Sequence, residues 1–273
     1  MQEQKPASQM ARMKRQLCFF VTRTMLMSFL VLVGSMTLFP AGRTNAQGAQ
    51  LTNSSSIMNA AVYDVTRGRY YTYNAKNWFV TGSSMKVPIM LTFLDMIERQ
   101  GRAPSSYEMW LLTTMIENSN NDSASALYYG EIGGAVGVAS YLHRIGISGL
   151  YPNPHAWGWS VITPWTMVNL LTLLYKGRIL TAHDRHLAFS LMEHVEADQR
   201  VGVGDTAPPG ALVAMKDGWV PGPDGLWEMN SSGIVMDGAE VYIIAVYTKD
   251  DPSLGAGQNL VRQICSMVAS HLL

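Results

Sequence analysis

The spacing of apolar residues changes twice along the chain, from strand-like to helix-like and back. The runs IMNAAVYDV and RYYTYN are short and rich in Val, Ile and Tyr, and the turn TRG separates them. This pattern predicts an antiparallel hairpin that begins near Ile57. From Ser84 onward, apolar residues recur at three- and four-residue steps until a Gln-Gly pair, which predicts a helix of about four turns.

Helical spacing continues through the middle of the chain, and strand-like spacing returns after the loop GVGDTAPPG. The further predicted helices are YEMWLLTTMIE, SASALYYGEI, AVGVASYLHRI, TPWTMVNLLTLLY and HDRHLAFSLMEHV. The later predicted strands are ALVAMK, WEMNSSGIVM and EVYIIAVYT, and a last helix runs from Ala256 to Leu272. Strands from both ends of the chain predict one shared sheet, and the helical block predicts a second lobe with a site between the two.

The first 46 residues have the order of a secretory signal. Basic residues precede an apolar run from Met25 to Phe39, and Ala46 offers a small residue for cleavage. The run is shorter than the ~20 residues that span a bilayer, so we expect a secreted or cell-envelope protein, with an uncleaved anchor as the alternative. Residues 47–56 predict a flexible lead-in to a domain at 57–273. Within that domain we expect sheet parts at about 57–82 and 208–273 and a helical lobe at about 84–200.

The formal net charge of zero hides an uneven distribution. The signal segment holds six basic residues and one acid, which leaves 14 basic and 19 acidic residues in the rest of the chain. An acidic domain of this kind does not favour nucleic-acid binding. Glu193, His194, Glu196 and Asp198 lie close together in sequence, but without a second ligand cluster they indicate a solvated helix end. We therefore expect neither a metal nor an organic cofactor, and with only Cys265 outside the signal, no internal disulfide.

The segment TGSSMKVPI holds the first candidate for chemistry. Ser83 and Lys86 stand three residues apart at a strand-to-helix junction, so their side chains share one face of the first helical turn. A serine hydroxyl needs a proton acceptor within hydrogen-bond reach, and a desolvated lysine can be that acceptor. The simpler alternative is that Ser83 only caps the helix. Ser84 is a competing nucleophile, but its spacing from Lys86 points the two side chains apart.

Two further polar segments could face the same cleft. In MIENSNNDSASALY, Ser119 could relay a proton and Asn121 could hydrogen-bond a substrate amide, although an ordinary interhelical turn would also contain such residues. In VAMKDGWVP, Lys216 is predicted at the end of a strand, where it could hold a carboxylate, and Gly218 would allow close approach of a ligand. Four tryptophans flank these segments and are expected to pack in the core or at the rim: Trp157, Trp159, Trp219 and Trp227.

Taken in order, the three segments resemble the S-x-x-K, S-x-N and K-T-G elements of class A β-lactamases and related penicillin-recognising serine enzymes. The stretches EIGGAVGVASYLHRIGI and ITPWTMVNLLTLLYKG also resemble helices of that family, so the resemblance runs from about Ile57 to the C-terminus. It implies an α/β plus all-α fold of the β-lactamase/transpeptidase type, with an antiparallel sheet flanked by helices and a helical lobe.

The resemblance also implies a role for each matching residue. Ser83 would be the acylated nucleophile, Lys86 its base and Ser119 a proton relay. Asn121 would bind substrate, and Lys216 would anchor a substrate carboxylate. The backbone N–H of Ser83 and one from the strand after Lys216 would form the oxyanion hole.

Three departures from that family change the expectation. Asp217 replaces the threonine of K-T-G, so carboxylate substrates should bind poorly and a small ester becomes acceptable. The interval from Ser83 to Ser119 is short, which implies a trimmed helical lobe. Residues 132–183 contain no Asp or Glu that could activate deacylating water, and His155 is the only titratable side chain in the loop NPHAWGWSVITP.

The sequence therefore predicts an exported serine hydrolase of the β-lactamase type that deacylates slowly. Its substrate would be a β-lactam, a D-Ala-D-Ala-like peptide or an ester, and we expect a monomer. Two alternatives remain open at this point. One is a penicillin-binding D-Ala-D-Ala carboxypeptidase or esterase, and the other is a non-catalytic cell-envelope binding protein with the same fold.

Overall fold

A computed structural model describes residues 56–272. The predicted signal segment and all but the last residue of the predicted lead-in lie outside the described residues. A five-stranded antiparallel sheet contains β1 (Ile57–Asp64), β2 (Arg69–Tyr73), β6 (Leu212–Pro221), β7 (Trp227–Asp237) and β8 (Glu240–Asp251). The spatial order of these strands is β2-β1-β8-β7-β6. Strands from both ends of the chain share one sheet, as their sequence pattern predicted.

The central strand β8 is buried on both faces because helices cover the sheet from both sides. Ile243, Ala245 and Tyr247 face the helical core. Ile244 and Val246, which alternate with them, face the C-terminal helix and its neighbours. This two-sided burial explains why EVYIIAVYT reads as a nearly continuous apolar run rather than as an alternating one.

The helical residues form eight α-helices within 56–272. They are α1 (Lys86–Arg99), α2 (Ser106–Ile116), α3 (Asn121–Ser125), α4 (Gly134–Arg144), α5 (Pro164–Tyr175), α6 (Ala182–Glu193), α7 (Val203–Thr206) and α8 (Leu254–Leu272). A π-helical stretch, Ala126–Glu131, follows α3. None of the helices in this part of the chain is both long enough and apolar enough to cross a bilayer.

Helix α1 carries the greatest share of the core, because its residues from Lys86 to Leu94 are all buried. Helix α8 packs on the opposite face of the sheet through Gly257, Val261, Cys265 and Ala269, which recur every four residues. Burial raises the pKa of the Cys265 thiol, as expected for a cysteine that acts as a small apolar side chain.

A second, three-stranded sheet was not predicted from the sequence. Its strands are β3 (Phe79–Val80), β4 (Leu150–Tyr151) and β5 (Val161–Ile162), in the order β3-β5-β4. Each has only two residues, which is too short to leave a periodic pattern. This sheet joins the segment before Ser83 to the loop at residues 149–163, and the Thr81 N–H donates to the Ser160 carbonyl at 2.9 Å.

Strand β6 corrects one expectation about the third polar segment. The sequence placed Lys216 at a strand end, but β6 continues for five residues beyond it, to Pro221. The pairing with β7 runs on through Gly218, opposite Asn230, and Trp219, opposite Met229. The ladder with β7 therefore continues past the predicted strand end, and Lys216 lies in the middle of an edge strand.

Candidate active site

Ser83 lies in a single 3₁₀ turn, Gly82–Met85, between β3 and α1. Its side chain is half-buried, whereas Ser84 is fully buried. The Ser84 hydroxyl donates to the Thr81 carbonyl at 2.7 Å and lies 3.3 Å from the Tyr247 hydroxyl. Ser84 is therefore held inside the core, and Ser83 is the serine of the pair that remains open to a substrate.

The amine of Lys86 is the centre of the site. Its Nζ lies 2.9 Å from Ser83 Oγ and 2.9 Å from Ser119 Oγ. It also contacts the Ser119 carbonyl at 2.5 Å and Asn121 Oδ1 at 2.8 Å. The structure thus brings residues from the first two polar segments, 33 to 38 positions apart in sequence, around one nitrogen atom.

Burial changes the acid–base character of this amine. Lys86 has no exposed surface, and this desolvation lowers its pKa from 10.5 to about 6. The positive charge of Lys216 lowers the pKa further, while the carboxylate of Asp217 acts in the opposite direction. At neutral pH most of the amine is uncharged, so its lone pair can accept a proton from Ser83 Oγ.

Ser119 adopts a backbone conformation that is unusual for a residue with a side chain. Its φ is 55°, in the left-handed region, and this places both its carbonyl and its hydroxyl toward Lys86. Asn120 caps α3 by accepting from the Ser123 N–H at 2.8 Å. The expected interhelical turn is therefore present, and it also presents Ser119 and Asn121 to the amine.

The third polar segment borders Ser83 through backbone contact. A methyl group on Gly218 would lie 2.6 Å from the backbone nitrogen of Ser83. A methyl group on Gly82, whose φ is 51°, would lie 2.9 Å from the backbone nitrogen of Trp219. Two glycines therefore let strand β6 approach the Ser83 turn more closely than any larger residues would allow.

Lys216 and Asp217 form a buried pair beside this contact. Both side chains have no exposed surface, and Lys216 Nζ lies 3.4 Å from Asp217 Oδ1. The Val201 N–H donates to Asp217 Oδ2 at 3.2 Å, and Gln199 Oε1 lies 3.5 Å from Lys216 Nζ. Burial lowers the pKa of Lys216 and raises that of Asp217 to about 6, while the attraction between the two charges opposes both shifts.

The loop at residues 149–163 covers the other side of Lys86 with an indole ring. Trp157 is buried, and its ring centroid lies 5.1 Å from Lys86 Nζ. Its indole N–H donates to Ser125 Oγ at 3.0 Å. The Thr81 hydroxyl donates to the Gly158 carbonyl at 3.3 Å, which fixes this loop against the Ser83 turn.

His155 lies in the same loop, but its side chain is exposed. Its backbone N–H donates to Asn153 Oδ1, and within residues 56–272 no hydrogen bond joins its imidazole to Ser83 or Lys86. No local pattern selects Gln199 or predicts Trp157 against the lysine, since neither residue belongs to a polar motif. Only the fold brings them to the site.

Comparisons with known proteins agree with this architecture. A family model described as Beta-lactamase enzyme family matches residues 101–272, which include Ser119, Asn121, Lys216 and Gly218 but not Ser83 or Lys86. No curated protein matches the sequence.

Several solved structures share the fold. The chromosome-encoded beta-lactamase of Vibrio parahaemolyticus is 20% identical, with 80% of this chain and 94% of that chain covered at a TM-score of 0.70. A beta-lactamase from Chitinophaga pinensis is 19% identical, with 80% and 94% covered at 0.71. PBP-A is 18% identical, with 79% and 89% covered at 0.70. These likenesses confirm the predicted antiparallel sheet flanked by helices with a helical lobe.

Proposed function

The chain belongs to the Beta-lactamase enzyme family, whose model matches more than half of its length, and on that basis we propose that it is a serine hydrolase acylated at Ser83. The observation that carries this proposal is the position of Lys86 Nζ, 2.9 Å from Ser83 Oγ and 2.9 Å from Ser119 Oγ. A buried amine with a pKa of about 6 beside a half-exposed hydroxyl is the arrangement that nucleophilic catalysis by serine requires.

In the proposed acylation step, the neutral amine of Lys86 accepts the proton of Ser83 as Oγ attacks the carbonyl carbon of the substrate. For a β-lactam, the new bond joins Oγ to that carbon and the ring C–N bond breaks. The proton passes from Lys86 through the Ser119 hydroxyl to the ring nitrogen. Asn121 would donate a hydrogen bond from Nδ2 to the substrate amide, because its Oδ1 accepts from Lys86 Nζ.

We propose that the backbone N–H groups of Ser83 and Trp219 stabilise the negative charge that develops on the carbonyl oxygen. Ser83 lies in the turn that precedes α1, and Trp219 follows Gly218 on the strand in contact with that turn. Trp219 is held by the sheet and Ser83 by the turn in contact with it, so no rearrangement is needed when the charge forms.

The same environment favours slow deacylation. Residues 132–183 supply no carboxylate, and the buried indole of Trp157 fills the loop side of Lys86. A water molecule that attacks the acyl ester needs a base and room beside the ester, and this loop offers neither. The acyl-enzyme should therefore persist, whereas a fast hydrolase would keep a general base at this position.

The test is covalent labelling of the full chain, with the modified residue located by mass spectrometry. A fluorophosphonate and a penicillin should each add one equivalent to Ser83. Ser83→Ala should abolish both labels, and Ser84→Ala, the matched control, should keep them. A folded wild-type protein that takes neither label would contradict the proposal and would favour the non-catalytic binding protein.

Turnover is measured separately with the chromogenic β-lactam nitrocefin. A burst of about one equivalent followed by a slow steady state would support slow deacylation. Rapid turnover by the wild type would contradict it, and rapid turnover that survives His155→Ala would also exclude that histidine as the activator of water.

A second candidate, an esterase, is favoured by one observation. Asp217 places a carboxylate beside Lys216, where an anionic substrate group would otherwise be attracted. A p-nitrophenyl ester hydrolysed faster than nitrocefin by the wild type, and not by Ser83→Ala, would favour the esterase. The D-Ala-D-Ala carboxypeptidase alternative is tested with a peptide that ends in D-Ala-D-Ala, by following release of D-alanine.

We also propose export through the N-terminal segment, on the sequence pattern of residues 1–46 alone. N-terminal sequencing of the protein recovered from the cell envelope or medium should begin after Ala46. An intact N-terminus in the membrane fraction would instead indicate the uncleaved anchor.

A further inference from the structure

The pair formed by Lys216 and Asp217 is the feature that most changes the chemistry expected of this cleft. Both side chains are completely buried and 3.4 Å apart. Asp217 cannot turn away from the lysine, because its other oxygen accepts from the Val201 N–H and Ser231 stands opposite it on β7. The Ser231 hydroxyl in turn donates to the Val201 carbonyl at 2.7 Å, so the backbone that holds the carboxylate is itself fixed.

The ionisable side chains of the cleft consequently leave little net charge in it. Three ionisable groups lie together here, namely Lys86, Lys216 and Asp217. Lys86 is largely neutral at pH 7, and Lys216 has the Asp217 carboxylate as its ion-pair partner at 3.4 Å. An unpaired buried lysine would attract a substrate anion strongly, but an ion-paired one offers little net attraction, and its carboxylate partner repels the anion.

We propose that Asp217 is a specificity-determining residue that makes the cleft select acyl substrates without a carboxylate next to the scissile bond, such as neutral esters and amides. This inference rests on the proposed acylation of Ser83. It deepens that proposal, because it extends the preference from esters to any acyl substrate that lacks this carboxylate and assigns the selection to Asp217. Acylation itself is unchanged, with the bond from Ser83 Oγ formed and the bond to the leaving group broken.

The experiment compares benzylpenicillin with its methyl ester, which lacks the negative charge of the acid and is larger by one methyl group. The second-order rate constant for acylation of Ser83 is measured for each by intact-protein mass spectrometry. Each value is divided by the rate of alkaline hydrolysis of the same reagent, which removes the difference in intrinsic reactivity. In the wild type the ester should then react at least ~10-fold faster than the acid. An acid that reacts as fast as the ester, or faster, would overturn the inference.

Two variants test whether Asp217 is the cause. Asp217→Asn keeps the shape of the side chain without its charge, and Asp217→Thr also shortens it. Both should raise the ratio of acid to ester by roughly tenfold or more. Asp224→Asn is the matched control, because it removes the same charge from an exposed turn between β6 and β7 and should leave the ratio unchanged. Since each ratio is internal to one protein sample, a lower folded fraction does not affect it.

Failure of this inference can be told apart from failure of the proposed function. An uncharged fluorophosphonate reports on Ser83 without involving a carboxylate. Labelling of Ser83 together with an unchanged ratio in both Asp217 variants would remove the role of Asp217 and leave the acyl-enzyme proposal intact. Absence of labelling by all three reagents in the folded wild type would remove both.

Discussion

The low pKa of Lys86 leads to a specific prediction about how acylation depends on pH. If the neutral amine is the base, the labelling rate of Ser83 should follow the uncharged fraction of Lys86. With a pKa of about 6, that fraction is about one tenth at pH 5, one half at pH 6 and nine tenths at pH 7. The rate should therefore rise about tenfold between pH 5 and pH 7 and then stay level.

The direction of the shift decides which pH range is informative. Burial disfavours the charged amine in the folded protein, so the amine is already neutral well below the ordinary lysine value of 10.5. A lysine with that ordinary value would give a rate that continues to rise about tenfold per pH unit through pH 8 and 9. The two cases differ most above pH 7.

The assay is stopped-time labelling with an uncharged fluorophosphonate between pH 4.5 and 9, quantified by intact mass. Lys86→Arg, whose guanidinium stays protonated, should reduce the plateau rate by about 10²- to 10⁴-fold. Lys76→Arg is the matched control at an exposed lysine and should leave the profile unchanged.

Because Asp217 also has a pKa of about 6, Asp217→Asn is needed as a second control. Loss of its carboxylate, which supports the charged amine, should move the inflection of the profile to lower pH.

A rate that rises with constant slope above pH 7.5 would refute the assignment of Lys86 as a desolvated base. A profile that loses its inflection completely in Asp217→Asn would instead assign the titration to Asp217.

Further predictions concern the contacts around Ser83 and Lys86 and the ion pair between Arg102 and Glu108 at the start of α2. Gly218→Ala should abolish labelling, since the new methyl group would lie 2.6 Å from the Ser83 nitrogen; wild-type labelling rates would contradict the close approach of β6. Trp157→Ala should lower the free energy of unfolding by about 3 to 5 kcal/mol, measured by urea denaturation. Because this variant admits water beside Lys86, the inflection of its labelling profile should move above pH 6. Trp157→Phe should keep the inflection at about pH 6. Glu108→Gln should lower the free energy of unfolding at pH 7, because Arg102 and the Ser105 N–H hold the pKa of Glu108 at about 2. That difference should fade as the pH falls from 4.5 toward 2, and a constant difference across this range would exclude the ion pair as its origin.

The sequence was sufficient to predict the large elements and to select the candidate side chains that the structure brings together around Lys86. Helix α1 and strand β8 have long apolar patterns, and the triplets around Ser83, Ser119 and Lys216 contain residue types with known chemical uses. We expected these three segments to lie close together because strands from both ends of the chain share a sheet. Local patterns are informative for these elements because the spacing of apolar residues within one helix or strand shows which of its faces is buried.

Other features of the site depend on contacts that no local pattern records. The extension of β6 beyond Lys216 depends on its ladder with β7, and the left-handed backbone of Ser119 depends on the turn between two helices. The position of Trp157 against Lys86 depends on two-residue strands that are too short to detect. Each of these is fixed by tertiary partners, so propensity alone could not predict it.

The strand order has a consequence for how the protein is made. Strand β1 is in place only when it pairs with β8, whose first residue lies 176 positions after the last residue of β1. A nascent chain leaving the ribosome therefore holds the Ser83 turn for most of its synthesis without the central strand that supports it. Ser83 and Lys86 are neighbours on one helical turn from the start, but that turn can meet Gly218 of a completed sheet only after nearly the whole polypeptide has emerged. A chain that ends before β8 should therefore not be labelled at Ser83.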